Sequence, residues 1–475
     1  MRIKRILDND NLENQNLYKW GAFLGIVVSC IIYTLYRGET HFYYDSWWYS
    51  TVAEGVIDYS GVHLFNFPKT FRGCLLPIYL RFLDISPIGI VLGWSLTASL
   101  FVGILFAFFL PNILIENGIC SLKTLLGSIV SSYIYLYIWG DFLVYPMSDL
   151  FACFFMFATV YVAKILLKED KLSLFKISLF SCFLGVAFYI SYNTRVVYLF
   201  GLILILVVVL LNILIRKRYR KFSIVVVFFI VGFGCMSIPQ CIINKHYEGF
   251  FSPKVYTENC SIEGVSLQTI QLVMGIKYPR YETYVGLEED YPDVRVMFVD
   301  DTGKMLIEKE QLDDNFTISK FIELVCEYPL DMLSIYTKHI INAMTPVWNH
   351  LYIQKIDIDK TAVILISIGI WITVFLDVFI IKIKQVNILN LLLIISAMIP
   401  SFLNILGAVE IRFFLPVYIL AYSYFMLGID YTEFYKIIKK KAVPIVMLVV
   451  IISFLWISII DSTLSCNVER VFIIH

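Results

Sequence analysis

Long apolar stretches separated by short charged loops dominate the chain. Eleven of them reach or approach the roughly 20 residues that a helix needs to cross a bilayer: 20–36, 88–110, 122–139, 150–167, 176–191, 196–215, 222–243, 361–381, 387–406, 412–428 and 443–460. The pattern predicts an all-α polytopic membrane protein. Pro239 and Pro400 fall inside two of the stretches and predict kinks there. Two polar intervals are longer than the rest. The first, 37–87, follows the first stretch and is expected to hold short interfacial helices. The second, 244–360, mixes turn-rich runs (YEGFFSPKVY, DDTGK) with a helical run, FTISKFIELVCEYPLDMLSIYTKHIINAM, broken near Pro329. The chain therefore divides into an N-terminal transmembrane module (1–243), an extracytoplasmic segment (244–360) and C-terminal transmembrane helices (361–475).

Lysine and arginine set the orientation. With the N-terminus in the cytoplasm, twenty of them fall in cytoplasmic ends and loops, including RKRYRK (216–221) and Lys436, Lys439, Lys440 and Lys441. Six fall in the short outer loops: Arg37, Lys69, Arg72, Arg81, Arg195 and Arg412. Eleven spans then place the C-terminus outside. The basic start running into an apolar stretch, without a small-residue cleavage site, reads as an anchor.

Composition agrees with burial in lipid. The 475 residues are 59% hydrophobic and 16% charged, against about a quarter charged in soluble chains. Mean hydropathy is +0.77. Net charge is zero, which gives no global field for nucleic acid. The ten cysteines show no zinc spacing. Cys260 and Cys326 share the long outer segment and could pair in an oxidising compartment. NCS at Asn259 and NFT at Asn315 match the glycosylation pattern, which matters only on a eukaryotic secretory route.

This orientation gathers the notable charges at the outer face. Asp45 lies in HFYYDSWWYS, Arg72 in FRGCLLP, Asp141 and Asp149 in GDFLVYPMSD, Arg195 in SYNTR, and Glu410 and Arg412 in VEIRFFLP. The spans are almost free of charge, with Asp377 as the exception. Mid-membrane charge flanked by broken, repeated helices would mark an ion-coupled transporter. Acids and arginines at a lipid–water border suit a different task. Arginine grips phosphate with a rigid fork of donors. A carboxylate takes a hydroxyl proton as a new bond forms, and paired acids can hold a divalent cation such as Mg or Mn.

In order and sidedness these motifs resemble the GT-C superfamily of integral membrane glycosyltransferases, which use polyprenyl-phosphate-linked sugars. The layout is similar to bacterial relatives of the protein O-mannosyltransferases and the lipid A aminoarabinose transferases. The resemblance rests on an acid after span 1 (YYDSWWYSTVAEG), a second acidic motif (YPMSD) and a glutamate–arginine–aromatic–proline motif opening a late span (EIRFFLP). Two features depart from the pattern: the first-loop acid is a single Asp45, and RGCLLP replaces the usual proline-rich segment. The resemblance implies a GT-C fold and an extracytoplasmic site in the plasma membrane. It also implies inverting transfer from a polyprenyl-phosphate donor to a hydroxyl of a lipid, glycan or protein. Asp45 would be the general base. Arg195 and Arg412, with Arg72 behind them, would stabilise the leaving phosphate. Asp149 would help hold a metal or the sugar, with Glu410 as an auxiliary acid. Lys338 and His339, in YTKHIINAM, could approach the site from the second outer segment.

Each residue also has a plainer reading. Asp45 and Asp149 also fit helix N-caps. Arg195 reads as a snorkelling side chain, and Glu410 with Arg412 as a local ion pair. Asp141 and His339 read as structural, and the aromatics as an interfacial belt. Two other functions stay open: a surface-polysaccharide polymerase or ligase, and a flippase or transporter of lipid-linked sugars.

Overall fold

The computed structural model describes residues 12–58, 60–115, 122–168, 172–257, 261–262, 265–285, 293–312, 316–348, 350–353, 361–379 and 387–472. The Asn259 and Asn315 sequons, Cys260 of the expected cysteine pair, and Arg2, Lys4, Arg5, Lys171, Lys382 and Lys384 of the charge count lie outside them; Cys326 is exposed. Among the described residues nine helices are long and apolar enough to cross a membrane. That is compatible with an all-α polytopic membrane protein. Two further expected spans are helical but weaker: one is rich in serine and tyrosine (Leu122–Trp139), and one has only 17 residues (Thr361–Asp377).

The chain forms two compact units. The first comprises Met1–Asn259, Gln385–Pro400 and Tyr422–Gly428. Its helices are α1 (Leu12–Arg37), α2 (Tyr44–Thr51), α3 (Leu75–Ile85), α4 (Ile90–Leu114), α5 (Leu122–Trp139), α6 (Ser148–Lys168), α7 (Leu174–Thr194), α8 (Leu199–Ile215) and α9 (Tyr219–Glu248). A short hairpin, β1 (Ile57–Asp58) with β2 (Gly61–Val62), sits between α2 and α3. The first outer loop thus does carry two short helices. Helix α6 is the most enclosed of the long helices, 78% buried, whereas α1 and α9 are 17% buried and turn rows of Leu, Ile, Val and Phe outward. Water would not tolerate such continuous apolar faces, but lipid does. Without a hydrophobic drive between helices in lipid, close packing relies on small residues. Gly232 of α9 lies against the Cys182 carbonyl of α7, and Gly185 of α7 against the Phe229 carbonyl of α9. Pro239 is accommodated inside α9.

The second unit comprises Cys260–Lys384, Ser401–Ala421 and Ile429–His475. Here a small sheet joins the helices. After the hairpin β3 (Ser261–Ile262) with β4 (Val265–Ser266) and α10 (Leu267–Lys277) come β5 (Arg280–Val285) and β6 (Asp293–Phe298). These pair antiparallel with the strand near the C-terminus, β7 (Val468–Phe472), in the order β5-β6-β7. Alternating valines, as in VRVMF and VERVF, favour this pleated pairing. Lys277 Nζ lies 2.9 Å from Glu469 Oε2, and the Tyr278 hydroxyl donates to the same oxygen, fixing β7 at its start. DDTGK, expected as a turn, instead opens helix α11 (Asp301–Glu310): Asp300 Oδ1 accepts the Gly303 amide at 2.9 Å as its N-cap. The break near Pro329 falls between α12 (Ile318–Glu327) and α13 (Pro329–Ala343). Leu272, Ile276, Leu306, Leu324, Met332 and Ile335 knit α10 to α13 into one core. The unit also contains α14 (Thr361–Asp377), α17 (Tyr431–Lys440) and α18 (Ala442–Leu464). Helices α15 (Ile388–Leu403) and α16 (Leu415–Ser423) contribute residues to both units.

Candidate active site

In the first unit the expected outer residues come together where α1 ends, α6 begins and α7 gives way to α8. Asp45 is not an N-cap. Helix α2 starts at Tyr44, and its cap is made by Ser46, whose Oγ accepts the Tyr43 amide (3.2 Å) and donates to the Tyr43 carbonyl (2.5 Å). Asp45 stands in the first turn and meets Arg72, whose Nη2 donates to Oδ1 at 2.7 Å. Both side chains are partly exposed, at 19% and 23%. The Arg72 guanidinium also rests on three rings, 4.9 Å from Trp48, 5.0 Å from Tyr49 and 5.1 Å from Phe71. Immediately before Asp45, Tyr44 holds φ at +43°. A bulky residue there is strained, and such strain concentrates at functional positions.

A second acid–arginine pair lies nearby. Arg195 caps the C-terminus of α7, and its Nη1 donates to Oδ1 of the buried Asp149 in the first turn of α6. A backbone contact links the pairs. Gly73 is pressed onto the Asn193 carbonyl so closely that a Cβ would lie 1.9 Å from that oxygen. The Leu75 amide donates to Asn193 Oδ1 at 2.9 Å, and Asn193 Nδ2 donates to Gln240 Oε1 of α9 at 3.1 Å. Gln240 Oε1 also accepts the Cys74 amide at 3.3 Å. From the other end of the loop, Tyr247 donates to the Phe67 carbonyl at 2.9 Å, and Lys69 pairs with Glu248 at 2.9 Å.

The third pair is Asp141 with Arg37, 3.3 Å apart, with Tyr33 also donating to Asp141 at 3.3 Å. Asp141 is buried on the turn after α5. Tyr145 stacks obliquely on Tyr43 with ring centres 6.0 Å apart, which ties this turn to the start of α2. Burial, with the Asp141 charge behind it, raises the Tyr145 phenol. Asp141 thus fits its structural reading. From sequence Arg37 counts only toward orientation, and Asn193 and Gln240 are not among the expected site residues. Asn193 and Gln240 carry a readable signal, polar amides inside apolar stretches.

Glu410, Arg412, Lys338 and His339 belong to the second unit, where all four are held by local partners. Glu410 accepts from Tyr281 (2.7 Å), Thr283 (3.3 Å) and Arg412 Nε (2.6 Å), the local-pair arrangement. Burial, then the Glu410 charge, raises the Tyr281 phenol. Lys338 donates to Asp300. The neighbouring strand holds a pair that sequence reading passed over. Arg280 and Glu282, both buried, meet with Nη2 at 2.5 Å and Nε at 2.6 Å from Glu282 Oε1. Arg280 Nη1 donates to the Thr345 carbonyl at 3.0 Å. The alternation of RYETYV was the available signal.

His339 is fully buried, with Nδ1 2.7 Å from the Ile405 carbonyl, a contact that puts a proton on Nδ1. Desolvation pushes its pKa down to about 4, against the hydrogen bond to Ile405. A lowered folded pKa means that unfolded chains bind the proton first as pH falls. His339 therefore contributes its full share of stability above about pH 6.5, and that share, about 3 kcal/mol, is lost as pH drops toward 4. Thermal melts of detergent-purified protein at pH 7 and pH 4.5 should show a smaller drop for His339→Gln than for wild type. Equal drops would remove the histidine from the acid sensitivity.

Among the described residues no group of three or more His, Cys, Asp or Glu side chains could hold a metal ion. Asp45 and Asp149 each face a guanidinium, an arrangement that fits a divalent cation poorly. No protein-family model matches the chain, and no curated protein matches it significantly.

Proposed function

We propose that the protein is a membrane glycosyltransferase that moves a sugar from a polyprenyl-phosphate carrier to an acceptor hydroxyl, with Asp45 as general base. The observation that carries this reading is the Asp45–Arg72 pair on its aromatic bed, joined through Gly73 and Asn193 to the Asp149–Arg195 pair. An acid able to take a proton and arginines able to grip a phosphate stand at one end of a helical unit. In the reaction, Asp45 accepts the acceptor's proton as that oxygen attacks the anomeric carbon. The bond from that carbon to the phosphate oxygen breaks with inversion, and polyprenyl phosphate leaves with the electron pair. The donor phosphate competes for Arg72, which turns Asp45 toward the acceptor, and Arg195 stabilises the growing phosphate charge. No step runs through a metal. Arg412, held by Glu410, takes no part in this scheme. In this reading the site faces the outside of the plasma membrane, and the excess of lysine and arginine in the opposite loops supports that orientation.

The test is an assay in nanodiscs with radiolabelled polyprenyl-phosphate sugars and a membrane extract as acceptor. Label entering a new product together with release of free polyprenyl phosphate is expected. Movement of the intact lipid-linked sugar across the bilayer without release would replace this reading with a flippase.

A further inference from the structure

The second unit contains a helix that the proposed reaction leaves unused. Helix α17, YTEFYKIIKK, follows the apolar segment Ile411–Gly428 after two residues and runs through Lys441 into α18. Both neighbours in the chain are long and apolar enough to cross a bilayer, so α17 is held at the level of the headgroups.

Its two faces differ. Tyr431, Phe434, Tyr435 and Ile438 follow the i, i+3, i+4, i+7 spacing of one helix face. Lys436, Lys439 and Lys440 share the other side, at i, i+3 and i+4, and Lys441 follows as the C-cap. No residue of α17 is buried, and Tyr435 is 65% exposed. A helix of 10 residues is marginal in water by itself, so its apolar face needs a cover. An apolar face beside a lysine-rich one is the pattern of a helix that lies in the membrane interface.

The lysines are open to an anion. All four are exposed, and among the described residues none of them takes part in an ion pair. The acids of this segment stand at the helix start, where the dipole favours them. Asp430 accepts the amides of Thr432 (3.0 Å) and Glu433 (3.3 Å), and Glu433 lies in the first turn. Asp377 of α14 is buried, and its charge, after burial itself, raises the phenol of Tyr431. Tyr431 is about 12 Å or more along the helix from Lys439, Lys440 and Lys441. The dipole also favours cations in the last turn, but Lys436 stands one turn earlier. Tyr431, Thr432 and Tyr435 line an open depression of about 870 Å³ together with Lys436, Lys439 and Lys440, which leaves room for a headgroup.

We infer that α17 docks onto anionic phospholipid, with its lysines on the headgroup phosphates and its apolar face at the acyl border. The inference is independent of the glycosyltransferase reading, and its test measures lipid contact alone. Full-length protein is placed in nanodiscs of dioleoyl-phosphatidylcholine, with or without dioleoyl-phosphatidylglycerol, and backbone hydrogen–deuterium exchange is followed peptide by peptide. Residues 431–441 are expected to exchange about tenfold or more slowly with phosphatidylglycerol present, while α12 exchanges alike in both. High salt should remove the difference. So should Lys436→Gln, Lys439→Gln, Lys440→Gln and Lys441→Gln combined, since glutamine is a good helix former. Arginine at the same positions should keep it, and unchanged exchange elsewhere shows that each variant is folded. Equal protection of 431–441 in both lipids would overturn the proposal and leave a helix held by its apolar face alone. A difference that persists in the glutamine variant, or equal slowing of α12, would overturn it as well.

Discussion

Asp45→Asn is expected to lower sugar transfer by about 10²- to 10⁴-fold, the usual contribution of a positioned general base, while leaving the protein folded. The two halves of this prediction come from different observations. Asparagine keeps the size of the side chain but cannot accept the proton, so turnover falls while donor binding through the arginines is retained. Stability should change little. The Asp45–Arg72 pair is partly exposed, and such pairs contribute about 1 kcal/mol or less. The cap of α2 is made by Ser46 and does not depend on the carboxylate. Single-turnover assays in nanodiscs, beside a thermal melt of the same preparation, separate these effects. Normal turnover would return Asp45 to an ion pair that only docks the loop. A collapsed melt would make it a folding residue. Arg72→Gln should act differently, by weakening donor binding.

The largest effect on stability is expected in the second unit. Arg280→Met should destabilise by about 3–5 kcal/mol, because it strands the Glu282 carboxylate in a site where both partners are buried. Arg280 also donates to the Thr345 carbonyl and lies 5.7 Å from the Trp348 ring, so the loss reaches the end of α13. The informative variant is the double change, Arg280→Met with Glu282→Leu. If the cost arises from a stranded charge, apolar residues at both positions should recover most of the lost stability. If the double variant is no better than the single one, the hydrogen bonds to the α13 end are what matter. Thermal unfolding of the two variants and wild type in one detergent decides between them.

The helical segments were legible because span length and apolar composition are strong local signals. Among the described residues nine helices are long and apolar enough to cross a membrane, and Asp45, Asp141 and Asp149 of the first unit each pair with an arginine. The partners were not legible. Nothing in FRGCLLP says that Arg72 turns back to Asp45, since that contact depends on how α2 and α3 fold over the end of α7. The role of Gly73 is equally hidden, because it is defined by the Asn193 carbonyl far along the chain. The sheet was missed for a different reason. Its last strand is VERVF, a polar-looking tail after an apolar helix, and it becomes a strand only because β6 offers an unpaired edge. RYETYV was passed over because its charges look like surface until both faces of the strand are covered.

The contact between Gly73 and Asn193 makes the molecule a ruler. Arg72 and Arg195 are one and two residues from a touching pair of backbones, so their separation is set by main chain and not by flexible side chains. The loop before Arg72 acts on its side chain, through Asp45 and the rings of Trp48, Tyr49 and Phe71, and not on that backbone spacing. On the proposed reaction, changes around Asp45 would alter the choice of acceptor while the spacing of the two arginines that face the donor phosphate stays fixed. An insertion between Arg72 and Leu75 would break the gauge itself.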